Sequence, residues 1–385
     1  MHGYIPRISE KVLTRALTRS PVVAILGPRQ CGKSTLAKEF LKSISSVHLD
    51  LQDRTERNKL VEPELFFENH RDEVICLDEI QRLPEFFSIL RSEIDRDRRP
   101  GRFLILGSAS RDLIRQSTES LAGRIAYIDL TPFLFQEIKG ETNWQTLWLR
   151  GGFPDSVLAR DDHDSVEWRR DFIRTFMERD IPSLGFSIPI PVIERLWMLL
   201  AHYHGQTVNY SKLAGAADLS IPTLKKYLSI LEQTYMIRLL KPAATNLKKR
   251  LIKSPKVYLR DTGILHSLLE IENYDNLLAN PIAGASWESF AIENILATYA
   301  HWRSSFIRTS NGAEIDLILE RGNRCRIFEF KLSKAPRPSR GFYELTEALQ
   351  PETALVIAPV DAPYEIRRGV FVTSLEGGLQ TISVV

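Results

Sequence analysis

One stretch near the N-terminus constrains the fold of this chain more than any other. It is the loop 27–34, with the sequence GPRQCGKS, which follows the apolar run 22–26 and precedes a segment of helix formers, 35–41. A GxxxxGK[ST] loop between a strand and a helix is typical of phosphate binding. Its glycines let several N–H groups point at an anion, and the N-terminus of the helix adds further donors. The pattern therefore predicts a nucleotide-binding protein.

The chemistry of such a loop predicts roles for individual residues. We expect the Lys33 ammonium to contact the β- and γ-phosphates and to stabilise the transferred phosphoryl group, while the Ser34 hydroxyl binds Mg²⁺. The residues of this segment that we expect to contact the nucleotide are Gly27, Pro28, Arg29, Gln30, Cys31, Gly32, Lys33, Ser34 and Thr35.

Apolar runs recur along the first part of the chain, with helical or polar segments between them. After the loop they lie at 47–51, 74–77, 103–106 and 125–130. This alternation predicts a parallel sheet with helices on both faces, and we expect residues 1–135 to form one α/β domain.

Two carboxylates, Asp78 and Glu79, directly follow the apolar run 74–77. Ligands of α/β sheets bind at the carboxyl ends of the strands. We therefore expect Asp78 to hold Mg²⁺ and Glu79 to polarise the water that attacks the γ-phosphate. An acidic pair after a strand is often no more than a solvated turn, but behind a phosphate-binding loop the catalytic interpretation is favoured.

Two further residues are candidates for the nucleotide site. Ser108 follows the run 103–106 and would lie where a group sensing the γ-phosphate or the water is needed. Arg124 precedes the run 125–130 and could stabilise charge on the phosphoryl group, either in cis or across a subunit contact. An ordinary turn and a solvated charge are the structural alternatives for these two residues.

Five segments together make a resemblance specific. They are GPRQCGKS, LDEIQ, LGSAS, LAGR and LTPFLFQEI. These segments resemble a large family of bacterial and archaeal AAA-type ATPases that carry a C-terminal domain of unknown function. The resemblance implies ATP as the nucleotide and hydrolysis as the activity, with Lys33, Ser34, Asp78 and Glu79 matching the ATPase motifs. It also implies that residues 136–190 form the helical lid that follows the ATPase core in this family.

The sequence pattern of residues 191–270 predicts a winged helix. Asn209 and Ser220 can each cap a short helix, and Leu224, Leu228 and Leu231 share one face of the second helix. Apolar runs at 237–240 and 257–259 would then be the strands of the wing.

The predicted wing, 238–260, has no acidic residue and is rich in positive charge. Its basic residues are Arg238, Lys241, Lys248, Lys249, Arg250, Lys253, Lys256 and Arg260. Such a run is the electrostatic pattern of a surface that binds nucleic acid. The alternative is docking against another part of the same protein, because winged helices also serve as interdomain modules.

The C-terminal part, residues 271–385, has the order α-β-β-β-α-β, which resembles the core of restriction-endonuclease-like nucleases. Strand periodicity places Glu314 with Asp316 on one face, and Glu329 with Lys331 on one face. Asp316, Glu329 and Glu288 could bind Mg²⁺, and Lys331 could activate a metal-bound water. The alternative is a structural Glu–Lys pair without catalysis.

Composition restricts the remaining classes. With 43% hydrophobic and 26% charged residues and a net charge of +3, the chain has the composition of a globular protein, and its charge does not by itself indicate nucleic acid. Three widely spaced cysteines fit a reducing cytoplasm, and no apolar stretch approaches the ~20 residues of a membrane span.

Three functions remain open at this point. The first is an ATP-hydrolysing switch that acts on nucleic acid, and the second is a nucleotide-gated, Mg²⁺-dependent nuclease. The third is a signalling or assembly ATPase with protein partners, and an oligomer is compatible with each of them.

Overall fold

The computed structural model describes residues 3–83, 86–108, 121–244 and 251–383. Its contacts divide the chain into two compact units. The first unit comprises Met1–Gly140, Ser183–Phe186 and Ile230–Met236, and the second comprises Glu141–Pro182, Ser187–Ser229 and Ile237–Val385. The finer boundaries expected above, at 135, 190 and 270, stay a prediction.

A five-stranded sheet organises the first unit. Its strands are β1 (Val22–Leu26), β2 (Ser46–Asp50), β3 (Val74–Asp78), β4 (Phe103–Gly107) and β5 (Ile125–Asp129). The strand order is β2-β3-β4-β1-β5, and every neighbouring pair is parallel. The central strands β1, β3 and β4 are almost fully buried, as expected of a parallel sheet covered on both faces, whereas the edge strands β2 and β5 are half-buried. The predicted parallel sheet of a P-loop NTPase is confirmed.

Helices pack around this sheet. Those of the first unit are Ser9–Leu17, Lys33–Leu41, Arg54–Asn58, Pro63–Asn69, Phe86–Arg96 and Phe135–Ile138, with a 3-10 turn at Ile80–Arg82. In the helix Phe86–Arg96, the side chains of Phe86, Leu90 and Ile94 recur every fourth residue and are all buried in the core beside the sheet.

The second unit begins with helices. They are Trp144–Arg150, Pro154–Val157, Asp162–Thr175, Ile190–His202 and Tyr210–Ala217, and a π-helical turn, Phe176–Asp180, leads into Ile181–Ser183. The helix Ile221–Gln233 follows Tyr210–Ala217 after a three-residue turn and begins in this unit.

Two short strands, β6 (Ile237–Leu240) and β7 (Lys256–Leu259), form an antiparallel pair after these helices. Two helices joined by a short turn and followed by a strand pair are the elements expected above. The name winged helix stays a prediction, since it implies a function as well as a set of elements.

A six-stranded sheet forms the C-terminal part of the second unit. Its strands are β8 (Arg303–Arg308), β9 (Glu314–Arg321), β10 (Arg324–Phe330), β11 (Thr353–Ile357), β12 (Tyr364–Arg367) and β13 (Val370–Thr373), in the order β12-β13-β11-β10-β9-β8. The helices of this part are Thr262–Leu268, Tyr274–Ala279, Ala283–Thr298, Arg340–Leu349 and Leu375–Ser383. The predicted order α-β-β-β-α-β is present, and the strand pair β12–β13 extends it.

No helix within the described residues is both long and apolar enough to cross a membrane. The cytoplasmic location expected from the sequence stays a prediction.

Candidate nucleotide site

The carboxyl edge of the first sheet brings the predicted nucleotide residues together. The loop 27–34 leaves the end of β1, Asp78 ends β3, and Ser108 directly follows β4. The strands are parallel, so these three ends lie at the same edge. The Gly27 amide donates a hydrogen bond to the Gly107 carbonyl, at 3.3 Å, and this bond holds the start of the loop to β4.

Both glycines of the loop are required by its geometry. A Cβ atom at Gly27 would lie 2.1 Å from the backbone oxygen of Leu130, a contact that no side chain can make. Gly32 has φ of 97° and caps the helix Lys33–Leu41. Only glycine adopts this left-handed conformation at little cost, so the loop can turn its backbone inward immediately before the helix begins.

The Lys33 side chain is buried and lies across the loop. Its Nζ donates hydrogen bonds to the carbonyl oxygens of Gly27, at 3.1 Å, and Pro28, at 2.8 Å. The ammonium is therefore held beside the N-terminus of the helix Lys33–Leu41, where several N–H groups also point. This arrangement concentrates positive charge at the point where the pattern predicts the phosphates.

Asp78 is buried, and its carboxylate lies 3.7 Å from the His48 Nε2. Burial would raise the pKa of Asp78, but the neighbouring His48 and Ser34 and the charge of Lys33 outweigh it, so the pKa lies below its ordinary value. The carboxylate is consequently ionised at neutral pH. A charged carboxylate next to a hydroxyl is a donor set of hard oxygens that fits Mg²⁺, and Ser34 and Asp78 are the residues that would hold it.

Glu79 occupies a constrained position beside Asp78. It is not a glycine, yet its φ is 58° and its ψ is 44°, a left-handed conformation that costs energy and that occurs often at functional sites. Its carboxylate accepts hydrogen bonds from the Ser108 hydroxyl, at 3.0 Å, and from the Gln81 amide. The structure therefore brings Ser108 and Glu79 together, and Ser108 orients the carboxylate expected to act on water.

Arg124 is not brought to this edge. It precedes β5, and its carbonyl accepts a hydrogen bond from the amide of Val22, the first residue of β1. The five residues of β5, at about 3.3 Å each, place Arg124 about 16 Å from the edge that carries the loop. Its guanidinium pairs with Asp95 at 2.7 Å. The expected role in cis is wrong for this reason, and the role across a subunit contact stays a prediction.

Arg7, a buried arginine that the sequence did not indicate, supports the loop 27–34. Arg7 donates to the carbonyl oxygens of Cys31, at 3.0 Å, and Thr131, at 2.6 Å, and its Nε lies 3.1 Å from the Glu137 carboxylate. Its guanidinium also lies 4.6 Å from the centre of the Phe133 ring. Arg7 thus joins the N-terminal segment, the loop and the segment after β5. No local pattern identifies it, since its partners are distant in the chain.

The residues of the predicted nuclease-like site meet in the second unit, but with an additional lysine among them. The Lys256 Nζ lies 3.0 Å from Glu288, 2.6 Å from Glu314 and 3.3 Å from Asp316. We call Glu288, Glu314, Asp316 and Glu329 the carboxylate cluster. Strand periodicity places Lys256 and Tyr258 on the same face of β7. A lysine on the same face as a large aromatic residue could have indicated that Lys256 points inward.

Burial dominates the titration of this cluster. It raises the pKa of Glu288, and the neighbouring charge of Asp316 raises it further against the opposing effect of Lys256. Burial and Asp316 likewise raise the pKa of Glu329, although Lys331 lies 2.7 Å from it. Carboxylates that share a site repel one another, so protons are held there more tightly than in water.

The basic residues of the predicted wing are less available than the sequence suggested. Arg238 and Arg260 both pair with Glu293 of the helix Ala283–Thr298, and Lys256 is buried in the carboxylate cluster. Lys241 and Lys253 are exposed. The three central residues, Lys248, Lys249 and Arg250, lie outside the described residues. The expectation of one continuous basic surface is therefore wrong for three of its members, whose charges are used within the unit.

Comparison with known proteins gives matches along almost the whole chain. A family model described as "AAA domain" matches residues 19–139, and models described as "Domain of unknown function (DUF8612)" and "Domain of unknown function (DUF4143)" match residues 141–275 and 283–377. The uncharacterized protein Rv2008c of Mycobacterium tuberculosis is 39% identical over 372 residues, which cover 97% of this chain and 84% of that protein. The uncharacterized protein Mb2031c of Mycobacterium bovis matches to the same extent.

Two solved structures illustrate more distant similarity. The Walker-type ATPase PABY2304 of Pyrococcus abyssi has a TM-score of 0.46 and 14% identity, over 69% of this chain and 96% of that chain. The RuvB Holliday junction branch migration motor of Thermotoga maritima has a TM-score of 0.30 and 17% identity, over 61% of this chain and 90% of that chain. Scores this low add nothing to an argument about function.

Proposed function

The chain belongs to the family of proteins that join an AAA domain to a C-terminal domain of unknown function, and we propose that it binds and hydrolyses ATP with Mg²⁺ at the loop 27–34. One observation carries this proposal. Lys33, held across the loop by its hydrogen bonds to Gly27 and Pro28, and the buried Asp78 carboxylate lie at the same edge of the parallel sheet, with Ser34 next to Lys33 in the chain.

The side chains supply the remaining parts of a phosphoryl-transfer site. Lys33 and the inward-turned backbone of the loop stabilise negative charge on the β- and γ-phosphates. Ser34 and Asp78 would hold Mg²⁺, which would supply positive charge to neutralise the phosphate oxygens. Glu79 orients the attacking water and accepts its proton, and Ser108 keeps the Glu79 carboxylate in place through their 3.0 Å hydrogen bond.

Steady-state ATP turnover of the full chain tests the proposal. Replacing the general base in Glu79→Gln is expected to lower kcat by about 100-fold while ATP binding is retained. Glu64→Gln makes the same chemical change at an exposed position of the helix Pro63–Asn69 and is the matched control. If Glu79→Gln and the control both keep turnover within about threefold of wild type, the assignment of Glu79 is refuted.

The partner of the second unit is a finer question, and the same assay addresses it. Exposed Lys225 and Lys226 on the helix Ile221–Gln233, together with Lys241 and Lys253, support a nucleic-acid partner. Turnover that rises with duplex or single-stranded DNA, and loses this rise at high salt, would agree with that partner. Turnover that is indifferent to DNA and RNA would favour a protein partner instead.

The nuclease alternative has less support. Its metal ligands would be Asp316, Glu329 and Glu288, but the Lys256 ammonium contacts two of these three carboxylates. A metal ion and an ammonium cannot occupy the same point.

A further inference from the structure

The carboxylate cluster is approached by one lysine from outside the sheet that carries it. Glu314 and Asp316 lie on β9, Glu329 lies on β10, and Glu288 lies on the helix Ala283–Thr298. Lys256 belongs to β7, and only 1% of its surface is exposed. The Lys256 ammonium donates hydrogen bonds to Glu288 and Asp316, and the Glu314 carboxylate forms an ion pair with it at 2.6 Å.

Apolar and aromatic groups surround the Lys256 side chain. Its Nζ lies 5.5 Å from the centre of the Phe306 ring and 6.0 Å from that of Tyr258, and the Tyr258 hydroxyl donates to Glu288. An ion pair in such surroundings is weakly screened by solvent, unlike the surface pairs that contribute little. Lys256 is therefore the main compensation for the charges of Glu288, Glu314 and Asp316.

The backbone around Lys256 is hydrogen bonded on both sides, so this arrangement is fixed by the fold. On one side, Val257 accepts from the Gly205 amide, at 2.8 Å, and donates to Gln206, at 3.0 Å. On the other side, β7 pairs with β6 in the register that sets Lys256 opposite Leu240.

The segments next to β6 and β7 are also hydrogen bonded to β8, the edge strand of the six-stranded sheet. The Ala243 amide donates to Phe306 of β8, at 2.8 Å, and the Ile252 amide donates to Arg308, at 2.9 Å. These bonds hold the backbone that carries Lys256 against the sheet.

We propose that Lys256 is the resident cation of the carboxylate cluster, and that it occupies the place which a divalent metal ion would take in a nuclease. The oxygens of Glu288, Glu314 and Asp316 are hard ligands of the kind that Mg²⁺ and Mn²⁺ prefer. Because they converge on the ammonium instead, the cluster is closed to metal. Its role in this chain is to fasten β7 to the sheet, and it does not fit metal-dependent cleavage.

The proposal has a direct consequence for a variant without this charge. Lys256→Met keeps a long, flexible side chain and removes the ammonium, which leaves three carboxylates around one point. We expect such a site to gain affinity for divalent cations, once the carboxylates are free to move closer together. Lys253→Met is the matched control, since it removes a lysine from an exposed position three residues earlier in the same segment.

The test is titration of the full chain with Mn²⁺ in the absence of nucleotide. Isothermal titration calorimetry counts bound ions, and thermal denaturation reports stabilisation. We expect Lys256→Met to bind one more Mn²⁺ per chain than wild type and to gain about 5 °C in Tm at saturating Mn²⁺. Lys253→Met is expected to behave as wild type. The site at Ser34 and Asp78 is unchanged in all of these variants, so the comparison does not depend on ATP hydrolysis.

A second substitution locates the additional ion. In Lys256→Met combined with Asp316→Asn, we expect the extra Mn²⁺ to disappear. If Lys256→Met does not fold without metal, refolding with and without Mn²⁺ replaces the titration, and recovery only with Mn²⁺ supports the proposal. Failure to recover, or no additional ion in a folded Lys256→Met, would overturn it. So would wild-type protein that binds Mn²⁺ and loses this binding in Asp316→Asn.

Discussion

The buried pair of Arg7 and Glu137 gives the sharpest prediction about the first unit. The side chains of both residues are almost fully buried, at 3% and 2% exposure, so each is the counter-charge of the other in a site with little solvent. Arg7→Met removes the guanidinium and its hydrogen bonds to the loop, and it leaves the Glu137 carboxylate without its counter-charge. Removing one partner of a buried ion pair typically destabilises a protein by about 3–5 kcal/mol.

The structure places the expected loss at the lower end of this range. The Glu137 carboxylate also accepts hydrogen bonds from the amides of Ile8 and Leu134, both at 2.9 Å, and these bonds remain in the variant. We therefore expect a loss of about 3 kcal/mol, which in a unit of this size lowers Tm by roughly 9 °C. The KM for ATP should rise as well, because the backbone of Cys31 loses its support.

Thermal denaturation and ATP turnover of Arg7→Met measure these effects. Arg15→Met is the matched control, since Arg15 is exposed on the helix Ser9–Leu17 and the chemical change is identical. Combining Arg7→Met with Glu137→Gln removes the uncompensated charge and should recover part of the lost stability. If Arg7→Met lowers Tm no more than the control does, with KM unchanged, Arg7 does not support the loop.

Two further predictions follow from single geometric facts. Burial would raise the pKa of Glu293, but the Arg238 and Arg260 guanidinium groups outweigh it and lower this pKa to about 2. Because the pKa is lower in the folded than in the unfolded protein, Glu293 stabilises the fold at any pH above its unfolded pKa, and this stabilisation is lost as the pH falls toward 2. We expect urea unfolding of wild type and Glu293→Gln to differ by about 3 kcal/mol at neutral pH and to converge near pH 2; a constant difference would contradict this. Gly27→Ala places a Cβ atom 2.1 Å from a backbone oxygen, so we expect loss of ATP binding in a titration with a fluorescent ATP analogue, whereas Gly140→Ala, which meets no atom within 4 Å, should bind normally.

Much of the first unit followed from the sequence because its signals are local. Buried parallel strands must be apolar along most of their length, so the runs that form the central strands β1, β3 and β4 were visible without knowledge of their neighbours. The loop 27–34 carries its own backbone requirements in Gly27 and Gly32. Asp78 and Glu79 were also identifiable, because a strand that ends in carboxylates presents them at the edge where its parallel neighbours end.

Which side chains face one another was decided only by the tertiary structure. The distance of Arg124 from the loop 27–34 depends on which end of β5 lies beside that loop, and Lys256 meets Asp316 across 60 residues of chain. From the sequence, Arg238 and Arg260 are predicted to belong to a surface that binds nucleic acid, but in the folded protein both form ion pairs with Glu293. The charge of a residue shows which kinds of group it can bind, but long-range packing decides which group lies next to it. Burial then strengthens the attraction between the two charges because it excludes water.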